Sequence, residues 1–508
     1  MKRNVTFKRL TSSQSVLFPR ALCENIPENH PARIVDRVVD GLDISTLLAL
    51  YKGGGTSSYH PKMMLKVLFY SYLSNIYSCR KIERALTENI CLMWLSGNST
   101  PDYRTINYFR GHRLKAVIDN LFSEVVKLLH SLGCVTLDVQ YIDGTKIEAC
   151  ANRYTFVWRK SVEKNKKKLE DKIQGILEMI ARQTEADDAT LEEANNLPVI
   201  NSKVLGEKLA ALNEKLKDAD KATKKALEKV KKEDLPKLAH YEHQLDTIGK
   251  GRNSYCKTDP DATFMRMKDD HLKNGQLKPA YNTQISTENQ FITHYSIHQT
   301  AGDTTTLPSH LDGFEQQNGK QSKVAVTDAG FGSQENYQIM HDKNIEAYVK
   351  DQYFHRDQKP ANQANPFLVP NWFYNAEEDF YVCPMGQKMP KVGEYAQKTD
   401  NNYPQEIHIY QARRCDSCPL RGLCHKEEGN KSIHANHQLN LLRNQARQRL
   451  NSEEGIMHRK KRCIEPEAVF GQLKSNNKFN RFTHRGKEKV SMEFGLMAIG
   501  HNLRKLSA

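Results

Sequence analysis

The sequence predicts an α/β protein, a mixed sheet with flanking helices behind an all-helical N-terminal domain. Three observations carry this expectation. Apolar residues recur at helical spacing through residues 1–130, they switch to period two at Val135, and the order that follows is strand, hairpin, helix, strand, helix. In the front module Pro61 opens a run with Leu65, Leu68, Phe69, Tyr72 and Leu73 on one face, and Ser78 to Leu86 continues in the same style. Ser99-Thr100-Pro101-Asp102 then supplies a cap and a first-turn proline ahead of Tyr103 to Arg110. Val135, Leu137, Val139 and Tyr141 alternate with polar residues and lead into Ile142-Asp143-Gly144-Thr145-Lys146-Ile147, a strand that carries a carboxylate. Tyr281 to Ser286 and Gln290 to Ile297 flank Thr287-Glu288-Asn289, read as a hairpin turn. A helix follows from Thr305, and Lys323 to Thr327 reads as a short buried strand ending at Asp328-Ala329-Gly330-Phe331-Gly332.

Two inserts interrupt this order. Residues 161–240 hold 17 Lys or Arg against 16 Asp or Glu. Leu169, Ile173, Ile176 and Ile180 form one apolar stripe, and Leu205, Leu209, Leu212 and Leu216 another, with Asn195-Asn196-Leu197-Pro198 between them. An antiparallel helical hairpin with solvated charged faces is the economical reading. The second insert is cysteine-rich. The expected domains are 1–130 (helical, DNA-binding), 131–160 and 251–350 (two parts of a catalytic core), 161–250 (charged helical hairpin), 351–455 (cysteine-rich) and 456–508 (a catalytic helix and basic tail).

The 508 residues carry 75 Lys plus Arg against 60 Asp plus Glu, a net +15, and the near-neutral first insert leaves almost all of that excess on the rest of the chain. A field of that sign collects polyanions. Membrane insertion is not expected: the most apolar stretch, Met63 to Leu73, is interrupted by Lys66 and falls far short of the ~20 residues a spanning helix needs. Nothing apolar follows the charges of Met1 to Lys8, so no signal peptide is expected, and eleven cysteines suit a reducing cytoplasm, here nucleoid-associated.

Three carboxylates stand out: Asp143 on the first strand, Asp328 at the end of a later one, and Glu467 just after Pro466, in a first helical turn. Strands of one sheet can set the first two side by side, and a helix across the sheet can present the third. Such hard oxygen donors suit two Mg²⁺ or Mn²⁺ ions that clamp the attacking and leaving oxygens of a phosphodiester. Taken singly, each carboxylate is more simply a cap or a surface charge. Lys474 lies seven residues past Glu467, which at ~3.6 residues per turn returns to nearly the same face, where it can hold a phosphate. Further phosphate contacts are expected from Arg462, Lys478, Arg481 and Arg485, and from Arg104 and Arg110 in the front module. Phe156 and Trp158 either stack on an extruded base or, more simply, pack in the core. Cys383, Cys415, Cys418 and Cys424 have the stoichiometry of a closed structural zinc site, with His425 as a substitute ligand, against free or redox-active thiols.

In order and context these blocks resemble the DDE-type transposases of bacterial insertion sequences. The motifs that carry the resemblance are Tyr141 to Ala149, Thr327 to Phe331, and Glu467 with Lys474. Tyr59-His60-Pro61, Pro101 to Ile106, Pro279 to Asn282, Arg481 to Gly486 and His501 to Arg504 extend it over nearly the whole chain. The resemblance implies an RNase H-like core in which Asp143, Asp328 and Glu467 hold two divalent metals, acting on double-stranded DNA at the element's terminal repeats and at a target, with a homo-oligomer in the DNA complex. One departure is visible. Related enzymes often place an arginine four residues before the glutamate, whereas here that position is Cys463 and Arg462 is one further back. Glu465 is a rival third ligand that lacks the seven-residue relation to Lys474. The readings in competition are a transposase, a metal-dependent nuclease without strand transfer, and a non-catalytic zinc-stabilised DNA-binding protein.

Overall fold

The computed structural model describes residues 21–51, 57–183, 201–215, 221–267, 275–399 and 401–508. The chain divides into two units, Met1–Val125 with Phe494–Ala508, and Val126–Glu493. The first unit is built on α1 (Pro31–Gly41), α2 (Pro61–Leu73), α3 (Cys79–Glu88), α4 (Ile90–Leu95), α5 (Tyr103–Tyr108) and the start of α6 (Ile118–Ser131). Proline suits a first helical position but leaves other amide donors at the helix start unpaired. A histidine meets that need twice: His30 Nδ1 accepts the Ala32 amide at 3.1 Å and His60 Nδ1 the Lys62 amide at 3.2 Å. Asp102 caps α5 through the Thr105 amide at 2.8 Å, so Pro101 stands before the cap and not in the first turn. The apolar stretch from Met63 is a core helix, with Leu65, Val67, Leu68, Phe69 and Tyr72 all buried. Among the described residues no helix is long and apolar enough to cross a membrane. Arg110 departs from expectation. It is 2% exposed, and its Nη1 donates to the Tyr72 hydroxyl at 2.8 Å and the Tyr77 carbonyl at 2.9 Å, so it is a core residue and not a phosphate contact.

In the second unit β1 (Val139–Glu148) is followed by β2 (Phe156–Trp158), then α7 (Arg159–Gln183), α8 (Ser202–Lys215), α9 (Lys221–Lys229) and α10 (Leu235–Ile248), and β3 (Ser254–Cys256), which pairs back on β2. The first insert is therefore a hairpin elaborated into a small bundle. α7 and α10 pack together over Ile173, Leu177 and Leu238, with Leu205, Leu209, Leu227 and Val230 completing the core. Asp234, fully buried there, takes Lys172 Nζ at 2.8 Å. The side chains of Ile180 and Leu212, and all of Leu216, Asn195 to Pro198 and Met1 to Lys8, lie outside the described residues. Phe156 is 48% exposed and, with Trp158, packs on the buried ring of Phe264.

β4 (Thr263–Arg266), β5 (Leu277–Glu288), β6 (Phe291–His298), α11 (Leu307–Asn318), β7 (Val324–Thr327), α12 (Gln334–Asp342) and β8 (Glu346–Val349) complete a mixed six-stranded sheet, ordered β4-β5-β1-β7-β8 with β6 also on β5. β1 runs antiparallel to β5 and parallel to β7, which runs parallel to β8. The hairpin turn sits at Asn289-Gln290, one residue later than expected, with φ of 50° and 62°, the left-handed pair a two-residue hairpin requires. Ile142, Ala325 and Val349 face one side of the sheet with Leu307, Leu311 and Met340. Tyr141, Val326 and Tyr348 face the other with Phe354 and Leu450.

The cysteine-rich insert forms its own antiparallel sheet from β9 (Tyr374–Asn375), β10 (Phe380–Val382), β11 (Lys388–Lys398), β12 (Pro404–Gln411) and β13 (Ser432–Ala435). Trp372, Tyr381, Met389, Tyr410 and Ile433 are its core. The chain then returns through α13 (His437–Asn451), α14 (Glu453–Ile464) and α15 (Pro466–Gly471), and ends in α16 (Lys487–Leu506).

A buried polar chain ties α11 to the sheet. The Ser286 hydroxyl donates to Gln140 Oε1 at 2.7 Å, so His310 Nε2 donates to Ser286 Oγ at 2.8 Å, and His310 Nδ1 accepts from Ser296 Oγ at 2.6 Å. Burial pushes the pKa of His294 and His298 down to about 4, and that of His310 well below the ordinary histidine value. Between about pH 6.5 and 4 the unfolded chain therefore binds protons that these rings refuse. Stability is expected to be full above about pH 6.5 and to fall by up to ~1.4 kcal/mol per ring per pH unit as the pH drops toward 4. Urea midpoints at pH 7.5 and 5 measure this; equal midpoints would mean the rings are solvated.

Candidate active site

Along β1, β7 and β8 one face of the sheet changes from apolar to charged at a single row. Tyr141 is level with Val326, and Val326 with Tyr348. Carried two residues on, this register would bring Asp143, Asp328 and Lys350 to one level, Asp143 within β1 and the other two one residue beyond the ends of β7 and β8. Asp328 keeps an extended backbone and its Oδ1 accepts the Gly330 amide at 2.8 Å, while Asp143 Oδ1 takes the Gly144 amide at 2.9 Å. On the opposite face Gly144 lets a second polar set press against β1. Asp303 Oδ1 accepts from Asn282 Nδ2 at 2.7 Å and from Gln284 Nε2 at 2.8 Å, and a Cβ on Gly144 would lie 2.3 Å from Gln284 Nε2.

The third carboxylate comes from the α14–α15 segment. Tyr141 Oη lies 2.9 Å from His458 Nδ1, which fixes α14 over the Tyr141 face, and α15 packs on β1 and β5. The helix breaks at Glu465 (φ −90°, ψ −95°), where Pro466 begins α15. Glu465 is buried and accepts the Gln290 amide at 2.7 Å; burial raises its carboxyl pKa. It is thereby committed to the hairpin turn. Glu467 is exposed, and its Oε1 takes Arg462 Nη2 at 2.7 Å. Further on, the Asn480 carbonyl accepts the Glu148 amide at 3.2 Å, so residues 465–480 run along β1 in its own direction; ligand oxygens of Asp143, Asp328 and Glu467 do not all lie within 4.8 Å of one another. The donor set fits a divalent cation: two aspartates in register, one exposed glutamate, and an arginine as present counter-charge.

Lys474 falls in a π turn, Gln472–Asn476, where wider winding rotates it away from the uniform two-turn relation to Glu467. Lys478 is exposed at a positive φ of 54°, and Arg104 is exposed beside Tyr103. Arg481 and Arg485 direct donors inward, Arg481 to the carbonyls of Ala149 and Ala151 and Arg485 to that of Cys150 at 2.8 Å, so they anchor the loop after β1. Sequence reasoning missed Lys350 and Asp303. Lys350 was legible as a signal, since it follows Tyr348 by two residues as Asp143 follows Tyr141 and Asp328 follows Val326.

Cys383, Cys415, Cys418, Cys424 and His425 line one small cavity. Both ring nitrogens of buried His425 lack a hydrogen-bond partner, and Cys415 Sγ accepts the Lys431 amide at 3.4 Å. An imidazole without a hydrogen-bond partner among thiols suits a soft metal ion. Among the described residues the trio of potential ligand atoms lying within 4.8 Å of one another is a different one, Glu394, Glu406 and His408, on the surface of the insert sheet.

Residues 382–507 match the family Transposase DDE domain, and residues 20–112 match the family Transposase domain (DUF772). No curated protein and no solved structure matches the chain. The first match spans Cys383 to Cys424, Glu467 and the basic tail, and the second spans the proline-led helices of the first unit. The two matches, with the mixed sheet and the helical first unit, support an insertion-sequence DDE transposase.

Proposed function

We propose that this transposase binds the terminal repeats of its element, hydrolyses phosphodiesters at the ends and transfers the freed 3′ hydroxyl to target DNA, with Asp143, Asp328 and Glu467 as its catalytic residues. The observation that supports this reading is that Asp143 and Asp328 each follow by two residues a paired position of neighbouring parallel strands, Tyr141 with Val326, on whose first strand α15 packs. A transposase of this type depends on a divalent cation, and two Mg²⁺ or Mn²⁺ ions held by the three carboxylates would supply Lewis-acid activation of the attacking oxygen and charge relief at the leaving one. The chain's own part is positional. β1 carries Asp143, Asp328 follows directly on the end of β7, the break at Glu465 turns the chain into α15, and Arg462 balances Glu467. Lys474, Lys478 and Arg462, with Arg104 on the first unit, hold DNA phosphates, and two or more copies assemble on the paired ends. Hydrolysis and transfer are both in-line displacements at phosphorus, so one site serves both without a covalent protein intermediate. A strand-transfer assay with a pre-cut end and Mg²⁺ tests it: joined products support the transposase reading, whereas cleavage of uncut ends without joining would favour a nuclease.

Zinc on four of Cys383, Cys415, Cys418, Cys424 and His425 completes the reading of the insert, and unpartnered His425 supports it. Four protein ligands leave no open position, so the role is structural. One zinc per chain is expected on elemental analysis of protein purified without chelator, and chelation should raise protease sensitivity between Lys359 and Asn430. Because the insert sheet has its own aromatic core, the loosening should centre on the cysteine turns. Substoichiometric zinc with four freely titrating thiols would make the cluster a thiol site.

A further inference from the structure

Lys350 follows the end of β8 as Asp328 follows the end of β7, and it forms no ion pair with Asp143 or Asp328. Its backbone is pinned on both sides: Val349 is fully buried, and the buried Asp351 carboxylate takes Arg447 through two hydrogen bonds of 2.7 and 2.9 Å. Its half-buried ammonium makes no ion pair or hydrogen bond among the described residues. Burial first, then repulsion from Arg462 and Arg459, pushes its pKa below the ordinary lysine value, while Cys463 and Glu467 oppose this. Arg459 lies with its guanidinium 5.3 Å from the Phe354 ring, and both Arg459 and Arg462 have a buried Nε without a partner. Helix α14, which carries both arginines, packs on β8, and although Arg462 is paired with Glu467, the Lys350 ammonium and the buried Nε donors of both arginines are left for the oxygens of an added anion. Guanidinium forks and an ammonium on one side of a pocket match the oxygens of a phosphate diester.

We propose that Lys350, Arg459 and Arg462 form a phosphate site that seats one phosphodiester of the DNA strand beside the carboxylate row. The assignment rests on the transposase reading and adds to it a binding residue from the sheet itself. In the DNA complex Arg462 would turn from Glu467 to the phosphate, which frees Glu467 for its metal, so phosphate docking and assembly of the carboxylate site are linked.

The test measures binding of a duplex carrying the element's end, in Ca²⁺ across a salt series, for wild type, Lys350→Met and Lys350→Arg. Lys350→Met is expected to weaken binding roughly tenfold and to flatten the slope of log K against log salt by about one, with Lys350→Arg near wild type. Methylphosphonates placed singly along the strand remove one phosphate charge at a time. One position should weaken wild type and leave Lys350→Met unaffected. An unchanged slope, or additive losses at every position, with wild-type binding intact overturns the Lys350 assignment alone. Should Lys350→Met fail to fold, the methylphosphonate scan with Lys350→Arg decides: a uniform response along the strand counts against a fixed phosphate seat. Wild type that shows no salt-dependent binding to this duplex would instead overturn the transposase reading and this site with it.

Discussion

Asp143→Asn, Asp328→Asn and Glu467→Gln are each expected to lower DNA cleavage about 10³-fold or more while leaving duplex affinity within a few-fold of wild type. Each change removes one anionic ligand from a set of three, and metal-assisted stabilisation of the transition state is worth several kcal/mol, each ~1.4 kcal/mol being tenfold in rate. Affinity for DNA, by contrast, comes from lysines and arginines that neutralise phosphates. Single-turnover cleavage of an end duplex in Mg²⁺, with binding read in Ca²⁺, separates the two effects. A variant that retains more than a few per cent of wild-type cleavage takes its residue out of the site. Glu465→Gln is the control, because its carboxylate serves the Gln290 turn.

Gly144→Ala is expected to destabilise the catalytic unit by about 2–3 kcal/mol. The new Cβ would stand 2.3 Å from Gln284 Nε2 and 2.8 Å from Asp303 Oδ1. Gln284 is fully buried and bonded to both Asn282 and Asp303, so it cannot move aside without stranding those partners. The displacement would also disturb β1 at Asp143, and cleavage should fall with stability. Gly471→Ala, at a helical position with nothing within 4 Å of its Cβ, should be neutral or stabilising by a few tenths of a kcal/mol. Equal urea midpoints for the two variants would show that the Gly144 pocket is soft.

Much of this architecture is legible in the sequence because alternation and capping are local. The period-two run into Asp143, the strand ending at Asp328 and the Pro466 start of the glutamate helix are all where pattern places them. β1 begins at Val139 and not at Val135, since Leu137 adopts a left-handed φ of 62° that no alternation reveals. The cysteine insert hid its sheet behind short strands with a core of Trp372, Tyr381 and Tyr410, whose apolar residues are too widely spaced to show a period. Arg110 and Lys350 mark the deeper limit. Both are cations in helix- or strand-like runs, and only tertiary packing shows that one is spent on Tyr72 while the other is left facing two arginines.

The central claim is that Asp143, Asp328 and Glu467 converge on one divalent-metal site. Loading the protein with Fe²⁺ and adding ascorbate and peroxide cuts the backbone next to bound metal, whether or not the enzyme turns over. Cuts are expected to cluster near residues 143, 328 and 467 and to be suppressed together by excess Mg²⁺ and by any one of the three amide substitutions. Cuts at Glu394, Glu406 and His408, with none near Asp143, would contradict it.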